Sequence, residues 1–481
     1  MKISEIFCLK KTQYELDFVD IDVDRDIRLF LDPYFISKME FPFAENAYKT
    51  IKNYFDYLLA LLRKNRIHEA KEIFSYLGET NEICLGMSKG KPSGRGMGPK
   101  DADKLFESLM KSKAYQTGLM EDIEDFRIFV PNVDRDKVSD MVANIIKWHL
   151  IEYTQNQCRL WEIPLQSGVP SGAYWDSARR EWTNQYTDML IADGKKVILV
   201  PKRIISYSKE YADKNYMQHY VLNFMQNEHL RLNSSLVKNR VKSKERYVTK
   251  KDIKEYETQK GALDKKWLAD FTLRHPEVFA QFKKDCIKRI SHITNEELDV
   301  VDVRRVTEYL KNKLLSIPRG SSAATEYHRT IVGIMELLFY PSLASPKIEE
   351  EIHDGRKRMD IVFDNCADFG FFHRLSTSYD VPSRFIIVEC KNYSRDIKNP
   401  ELDQLSGRFS PNRGKFGIAA CREIEDMSTF LARCNDTVKD NRGVIVPLVD
   451  SDFIYTLENF ENNNIICEDV LQERFHKVCI N

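Results

Sequence analysis

Apolar residues in the last third of the chain gather in short runs bounded by turn-forming residues, the pattern of strands buried on both faces. "RMDIVFDN" (Arg358 to Asn365), "RFIIVECK" (Arg384 to Lys391), "KFGIAAC" (Lys415 to Cys421) and "GVIVPLV" (Gly443 to Val449) are such runs. "KIEEEIH" (Lys347 to His353) reads as a further strand, paired with the first of them across the turn "DGRK". Apolar residues recur at helical spacing in "ATEYHRTIVGIMELLF" (Ala324 to Phe339), "PELDQLSGRF" (Pro400 to Phe409) and "EDMSTFLARCNDTVKD" (Glu425 to Asp440). The order helix, three strands, helix, strand, helix, strand predicts an α/β domain over residues 321–481, with a mixed sheet flanked by helices. The stretch between Cys366 and Ser383 is left as a loop or lid.

Residues 1–225 mix both periodicities and read as a separate α/β region. "AYKTIKNYFDYLLALLRKN" (Ala47 to Asn65) is an amphipathic helix. "RLFLDPYFIS" (Arg28 to Ser37) reads as strand and turn, "FRIFV" (Phe126 to Val130) as a short strand, and "KKVILVPKRII" (Lys195 to Ile205) as a strand interrupted or edged at Pro201. "DKVSDMVANIIKWHLIEYTQNQC" places Val138, Met141, Val142, Ile145, Ile146 and His149 on one helical face, with Asp136 or Ser139 as N-cap. Residues 226–320 read as helical and basic, ending in the linker-like "IPRGSSAA" (Ile317 to Ala324).

Composition adds a constraint on partners. The 481 residues carry no formal net charge and are 42% hydrophobic and 30% charged, values of a folded globular chain of two or three domains. Any surface for a polyanion is therefore local. The middle region offers one, with 17 Lys and Arg against 8 Asp and Glu between Arg231 and Ile290. Ten scattered cysteines lack CxxC or zinc spacing, and fit reduced, buried thiols. No apolar stretch suits a signal peptide or a membrane span. A soluble, cytoplasmic protein without membrane association is expected.

The strand "FIIVECK" ends in charge. Alternation puts Glu389 and Lys391 on one face and Cys390 on the other. If Asp360 on the preceding strand lies alongside, two carboxylates and an ammonium converge. Carboxylate oxygens bind a hard divalent cation, which polarises a phosphate oxygen and acidifies bound water. The ammonium can position that water or stabilise transition-state charge.

With these residues on the page, the region 321–455 resembles the PD-(D/E)XK, or restriction-endonuclease-like, nuclease superfamily. Arg358 and Asp360 in "GRKRMDIVFDN" are similar to its GxxRxD strand, and Glu389-Cys390-Lys391 to its ExK strand. Glu326 in "TEYHRT" resembles the first acidic motif, Gln404 in "ELDQLSGRF" the glutamine of the following helix, and Arg422 an arginine that ends the next strand in some relatives. The 29-residue gap from Asp360 to Glu389 is longer than in short members, and Met359 stands where others have proline.

The resemblance implies a metal-dependent nuclease that hydrolyses phosphodiester bonds of DNA. Asp360 and Glu389 would hold Mg²⁺ or Mn²⁺, Lys391 would be the catalytic lysine, and Glu326 and Gln404 supporting residues. Arg356 and Arg358, beside the site, would touch DNA phosphates. A large N-terminal region fused to such a domain is similar to bacterial defence endonucleases that cut phage or foreign DNA. A homo-oligomer and a partner protein of a defence system are expected with it. The alternatives are a catalytically inactive nuclease fold that binds nucleic acid or a partner, and a DNA-repair or transposition nuclease.

Other features have plainer readings. "CLGMSKGKPSGRGMGPKD" (Cys84 to Asp101) has neither P-loop nor dinucleotide spacing, so it reads as a surface loop, with Lys89, Lys91 and Arg95 as nucleic-acid contacts. The acids of "DRDKVSDM" (Asp134 to Met141) suit a helix start. His328 is expected to pack, and Asp364, Asp368 and Glu349 to Glu351 rank below Asp360 as ligands.

Overall fold

The computed structural model describes residues 1–480 except 79, 88–98, 241–244, 290, 353–356, 396 and 461–465; for 99–101, 351–352, 357 and 466–467 it describes the backbone alone. Helices dominate the first 320 residues. Helix α1 (Pro42–Arg63) is the amphipathic helix expected from its spacing and buries Ile51, Tyr54, Phe55, Leu58, Leu59, Leu61 and Leu62. The "DKVSDM" pattern forms two helices, α2 (Arg135–Ile145) and α3 (Lys147–Trp161), which meet at Ile146. The cap of α2 is Asp134, not Asp136 or Ser139. Its side chain accepts from the Lys137 N–H, and the Ser139 hydroxyl is turned inward to the Leu31 N–H.

Several short readings in this region change. Phe126–Phe129 belongs to a helix over Asp125–Phe129, with Val130 its extended C-cap, because Phe126, Ile128 and Phe129 bury against helices rather than in a ladder. The strand in "KKVILVPKRII" stops at Val197, and Lys202–Ile204 forms a 3₁₀ turn before a two-residue strand. The strand and turn expected over Arg28 to Ser37 are present as strand Phe30–Leu31 and the helical turn Pro33–Ile36 capped by Asp32. A three-stranded antiparallel sheet built on Leu165–Pro170, Tyr186–Ala192 and Lys195–Val197 was not anticipated. Its strands hold few apolar residues in alternation, so the sequence carries little trace of it.

Helix α4 (Val303–Ser316) leads into the C-terminal unit. There α5 (Ala324–Phe339) precedes strands β1 (Leu343–Ile352) and β2 (Lys357–Asn365). The expected loop after Cys366 contains a helix, α6 (Gly370–Thr377), which buries Phe371, Phe372 and Leu375. Then follow β3 (Phe385–Lys391), α7 (Asn399–Ser406), β4 (Phe416–Cys421), α8 (Met427–Lys439), β5 (Val444–Val449), α9 (Asp450–Asn459) and α10 (Ile466–Ile480). The sheet order is β1-β2-β3-β4-β5, antiparallel from β1 to β3 and parallel from β3 to β5. The protein is thus mixed α/β, with a five-stranded mixed sheet near its C-terminus flanked by helices. Strands β4 and β5 are buried at every position, which explains their unbroken apolar runs. The nine described cysteines are free, and all but Cys8 and Cys479 are buried. Among the described residues no helix is long and apolar enough to cross a membrane.

One hydrophobic cluster runs from Ile3 to Val478 through all three regions. At its centre the regions share buried charge. Asp17, Lys202 and Glu336 are all fully buried. Lys202 Nζ lies 3.8 Å from Glu336 Oε2, donates to Asn295 Oδ1 at 2.9 Å and to the Gln13 carbonyl at 3.2 Å, and sits 4.1 Å from the Tyr340 ring centroid. Asp17 accepts from the Tyr153 hydroxyl at 2.5 Å and the Ser345 N–H at 2.9 Å.

Buried carboxyls elsewhere set a pH dependence. Burial pushes Glu124 up to about 8, with Asp125 and Asp122 adding repulsion, Asp364 up to about 7, and Asp450 up to about 6 against the pull of Arg422. A carboxyl whose pKa is raised on folding holds a proton that the unfolded chain has lost. Its stabilisation is complete below the unfolded value, near pH 4, and is lost as pH rises through the folded value. Asp368, held down to about 2 by hydrogen bonding with His292 and by Arg203, acts oppositely, and its contribution is lost only as pH falls toward 2. Urea unfolding is expected to show higher stability at pH 5 than at pH 8.5. Glu124→Gln should flatten the upper part of that fall, and an unchanged slope would contradict the assignment.

Candidate active site

The open end of the β2/β3 pair positions the first carboxylates. Ile361 pairs with Val388, so Asp360 and Glu389 are the next residues on their strands, directly opposite and on one face. Asp360 Oδ2 accepts the Cys390 N–H at 3.0 Å. Lys391, two residues beyond Glu389, turns its ammonium to the same face, 2.6 Å from Glu389 Oε1 and 3.8 Å from Asp360 Oδ2. Cys390 points away into the core, and burial pushes its thiol well above the usual value. Asp360, Glu389 and Lys391 therefore meet at one place, as alternation requires.

Glu389 is only 1% exposed, so its charge needs partners. Lys391 supplies one on Oε1, and Arg408 supplies the other by an ion pair to Oε2. The strand next to β3 explains how Arg408 arrives. Gly417 and Ala419 on β4 share the Glu389 face, paired with Ile387 and Glu389. A Cβ at Gly417 would stand 2.9 Å from the Phe409 ring and 3.1 Å from Leu405 Cδ1. Without side-chain bulk there, the end of α7 lies directly on the sheet and lowers Arg408 over Glu389. Burial lowers the Arg408 pKa, and the nearby Asp360 charge opposes that shift.

The structure disposes of the remaining expected residues differently. Gln404, one turn before Arg408, is exposed. Glu326 is exposed as well and pairs with Lys313 on α4. His328, expected only to pack, lies two residues on and about 200° round the helix. It is turned to the Cys390 backbone, with Asp360, Lys391 and Glu349 within electrostatic reach; burial lowers its pKa despite Asp360. Arg358 is exposed and 3.3 Å from Glu349 Oε2. Arg422 pairs with Asp450 at 3.0 Å, and Asp450 also accepts from the Tyr327 hydroxyl at 3.0 Å. Asp368 serves Arg203 and His292, Asp364 is buried four residues beyond Asp360, and Glu350 faces Lys347. Arg356, Lys89, Lys91 and Arg95 lie outside the described residues.

Sequence reasoning did not single out Arg408, and it read His328 as packing rather than as a neighbour of Asp360. Arg408 had a signal, namely the i+4 spacing from Gln404 together with the small residues Gly417 and Ala419 on the facing strand. His328 had only its place on the helix that precedes the sheet.

Among the described residues no group of three or more His, Cys, Asp or Glu side chains is arranged to hold a metal ion. The donor set is the Asp360 and Glu389 carboxylates. Mg²⁺ needs no more, since it commonly keeps several waters and takes one or two carboxylates. The Lys391 ammonium between the two carboxylates marks a place where positive charge is already favoured. The residues present therefore fit a hard divalent cation, provided Lys391 moves aside.

A family described as Domain of unknown function (DUF8370) matches residues 8–212, a span that ends before the residues of this site begin. No curated protein and no solved structure matches the chain.

Proposed function

We propose that the protein is a metal-dependent endonuclease of the PD-(D/E)XK type that hydrolyses phosphodiester bonds in DNA, in bacterial defence against phage or foreign DNA. The observation that carries the reading is the convergence of Asp360, Glu389 and Lys391 where β2 and β3 part. Asp360 and Glu389 would hold Mg²⁺ or Mn²⁺, which when bound polarises the scissile phosphate and activates water. Arg408, ion-paired with Glu389 Oε2, would hold the buried carboxylate in its orientation. Lys391, released from the carboxylates, is placed to hold the attacking water or to neutralise charge developing on the phosphate. His328, whose pKa burial lowers, would accept or relay a proton beside Asp360.

Cleavage of supercoiled plasmid, linear duplex, single-stranded DNA and RNA with Mg²⁺, Mn²⁺ or EDTA tests the reading. DNA is expected to be cut with either metal and not with EDTA. Intact substrates in every metal condition would count against it. One observation favours a second reading, a nuclease-like fold that binds without cutting: Lys391 and Arg408 together occupy both Glu389 oxygens. That reading expects no cleavage and no change in nucleic-acid affinity on adding Mn²⁺.

A further inference from the structure

A small unit in the middle region has an apolar cluster of its own beside the main core. Helix Leu222–Arg231, a hairpin of Lys238–Asn239 with Arg246–Tyr247, and helix Lys250–Thr258 compose it. Leu222, Val248 and Ile253 form its own apolar cluster, with Met217, Met225, Leu230, Leu236 and Val237 packed around them. So few apolar residues organise this unit that its hairpin buries almost nothing, and Lys238, Asn239 and Arg246 are all exposed. In a chain of zero net charge, the described residues from Arg231 to Lys254 hold seven Lys and Arg against two Asp and Glu.

The described cations of this unit pair with neighbouring polar groups at its surface. Lys238 lies 2.8 Å from Asp252, Arg240 3.4 Å from Glu245, Lys251 3.8 Å from Glu255, and Arg231 2.8 Å from Glu228. Arg246 donates weakly to Asn233 Oδ1, while Lys250 and Lys254 donate to the Gln218 carbonyl and side chain. Exposed pairs of this kind are weak, so they exchange readily for a stronger anion. The Arg240 guanidinium stands 5.7 Å from the Tyr247 ring centroid, which holds it on the hairpin face.

We propose that the exposed face carrying Lys238, Arg240 and Arg246 is a docking surface for the phosphate backbone of duplex DNA, separate from the Asp360–Glu389–Lys391 site. The identity of the polyanion rests on the nuclease reading above; the surface itself rests on charge and exposure. Each neutralised phosphate releases condensed counterions, which favours a cluster of exposed cations over any single one. A two-stranded antiparallel ribbon has the width that a DNA major groove admits, which favours duplex over single strands. An anionic membrane fits less well. Among the described residues of the unit, Leu232 is the one exposed large apolar side chain, so there is no apolar face to insert.

The test uses full-length Lys391→Ala protein, so that cutting does not interfere. Binding of a fluorescent duplex is followed by anisotropy across salt concentrations. The triple variant Lys238→Gln/Arg240→Gln/Arg246→Gln should bind at least tenfold more weakly at low salt. Its slope of log affinity against log salt should be smaller by about 2 to 3, at about 0.9 per phosphate contact. A control triple, Lys49→Gln/Lys64→Gln/Lys111→Gln, should bind like the parent, and circular dichroism checks that all variants fold. The proposal is overturned if the hairpin triple binds like the parent, if both triples lose equally, or if the loss appears on phosphatidylserine vesicles and not on DNA. Normal duplex binding by the hairpin triple, with cutting intact in the Lys391 protein, removes the surface and leaves the nuclease. Lost binding in a protein that never cuts does the reverse.

Discussion

Under the proposed function, Lys391→Ala and Asp360→Ala are each expected to lower metal-dependent DNA cleavage by about 10²–10³-fold or more, the scale of removing one preorganised group that meets developing charge. The two lesions differ in kind. Lys391→Ala frees Glu389 Oε1 and removes a competing cation from between the carboxylates, so Mn²⁺ binding measured by calorimetry persists while turnover is lost. Asp360→Ala removes half of the donor set, so both binding and turnover fall. Arg408→Ala tests the geometry against the family pattern. It leaves the buried Glu389 with Lys391 as its remaining cation and is expected to cost activity strongly. Gln404→Ala, on an exposed position, is expected to cost severalfold at most. Cleavage rates for the four variants, with thermal melts alongside, decide the matter. If Lys391→Ala and Asp360→Ala cut like wild type, the site is misassigned; if Gln404→Ala is the more damaging of the helix pair, the role given to Arg408 is wrong.

Lys202→Met lowers the stability of the whole fold by about 3–5 kcal/mol, the cost of stranding buried charge by deleting its partner. The ammonium is fully buried and burial lowers its pKa, with Glu336 and Asp17 opposing the shift. Without it, those two carboxyls face each other in the core with no cation between them. Both are already pushed up by burial, Glu336 further by the Asp17 charge. Groups raised in this way favour folding less as pH climbs, so the deficit of Lys202→Met is expected to be smaller at pH 5 than at pH 8. Glu336→Gln keeps the shape and needs no ionisation, and should cost far less. Urea unfolding of the three proteins at both pH values measures this. Equal stability of Lys202→Met and wild type would show that the cluster does not hold the regions together.

The two predictions rest on information of different origin. Alternation along "FIIVECK" was enough to place Glu389 and Lys391 on one face and Cys390 on the other, because strand geometry is local and has a period of two. The succession of strands and helices near the C-terminus was likewise legible, since buried central strands show as unbroken apolar runs. Helix faces were not. Glu326, His328 and Arg329 are consecutive or nearly so, and each is 100° or more from the next. Which of them meets the sheet depends on how α5 is rotated, and that is decided by burying Tyr327, Ile331 and Ile334. The same holds for Gln404 and Arg408, where close packing over Gly417 selects the arginine.

The N-terminal region was least legible. Its short strands pair antiparallel with few apolar alternations, and Phe126–Phe129 took the helical option because its neighbours are helices. Nor does any local pattern reveal that Asp17, Lys202 and Glu336 share one buried cluster. They come together from distant parts of the chain, and the low-polarity interior that makes their pairing matter exists only once the regions have packed.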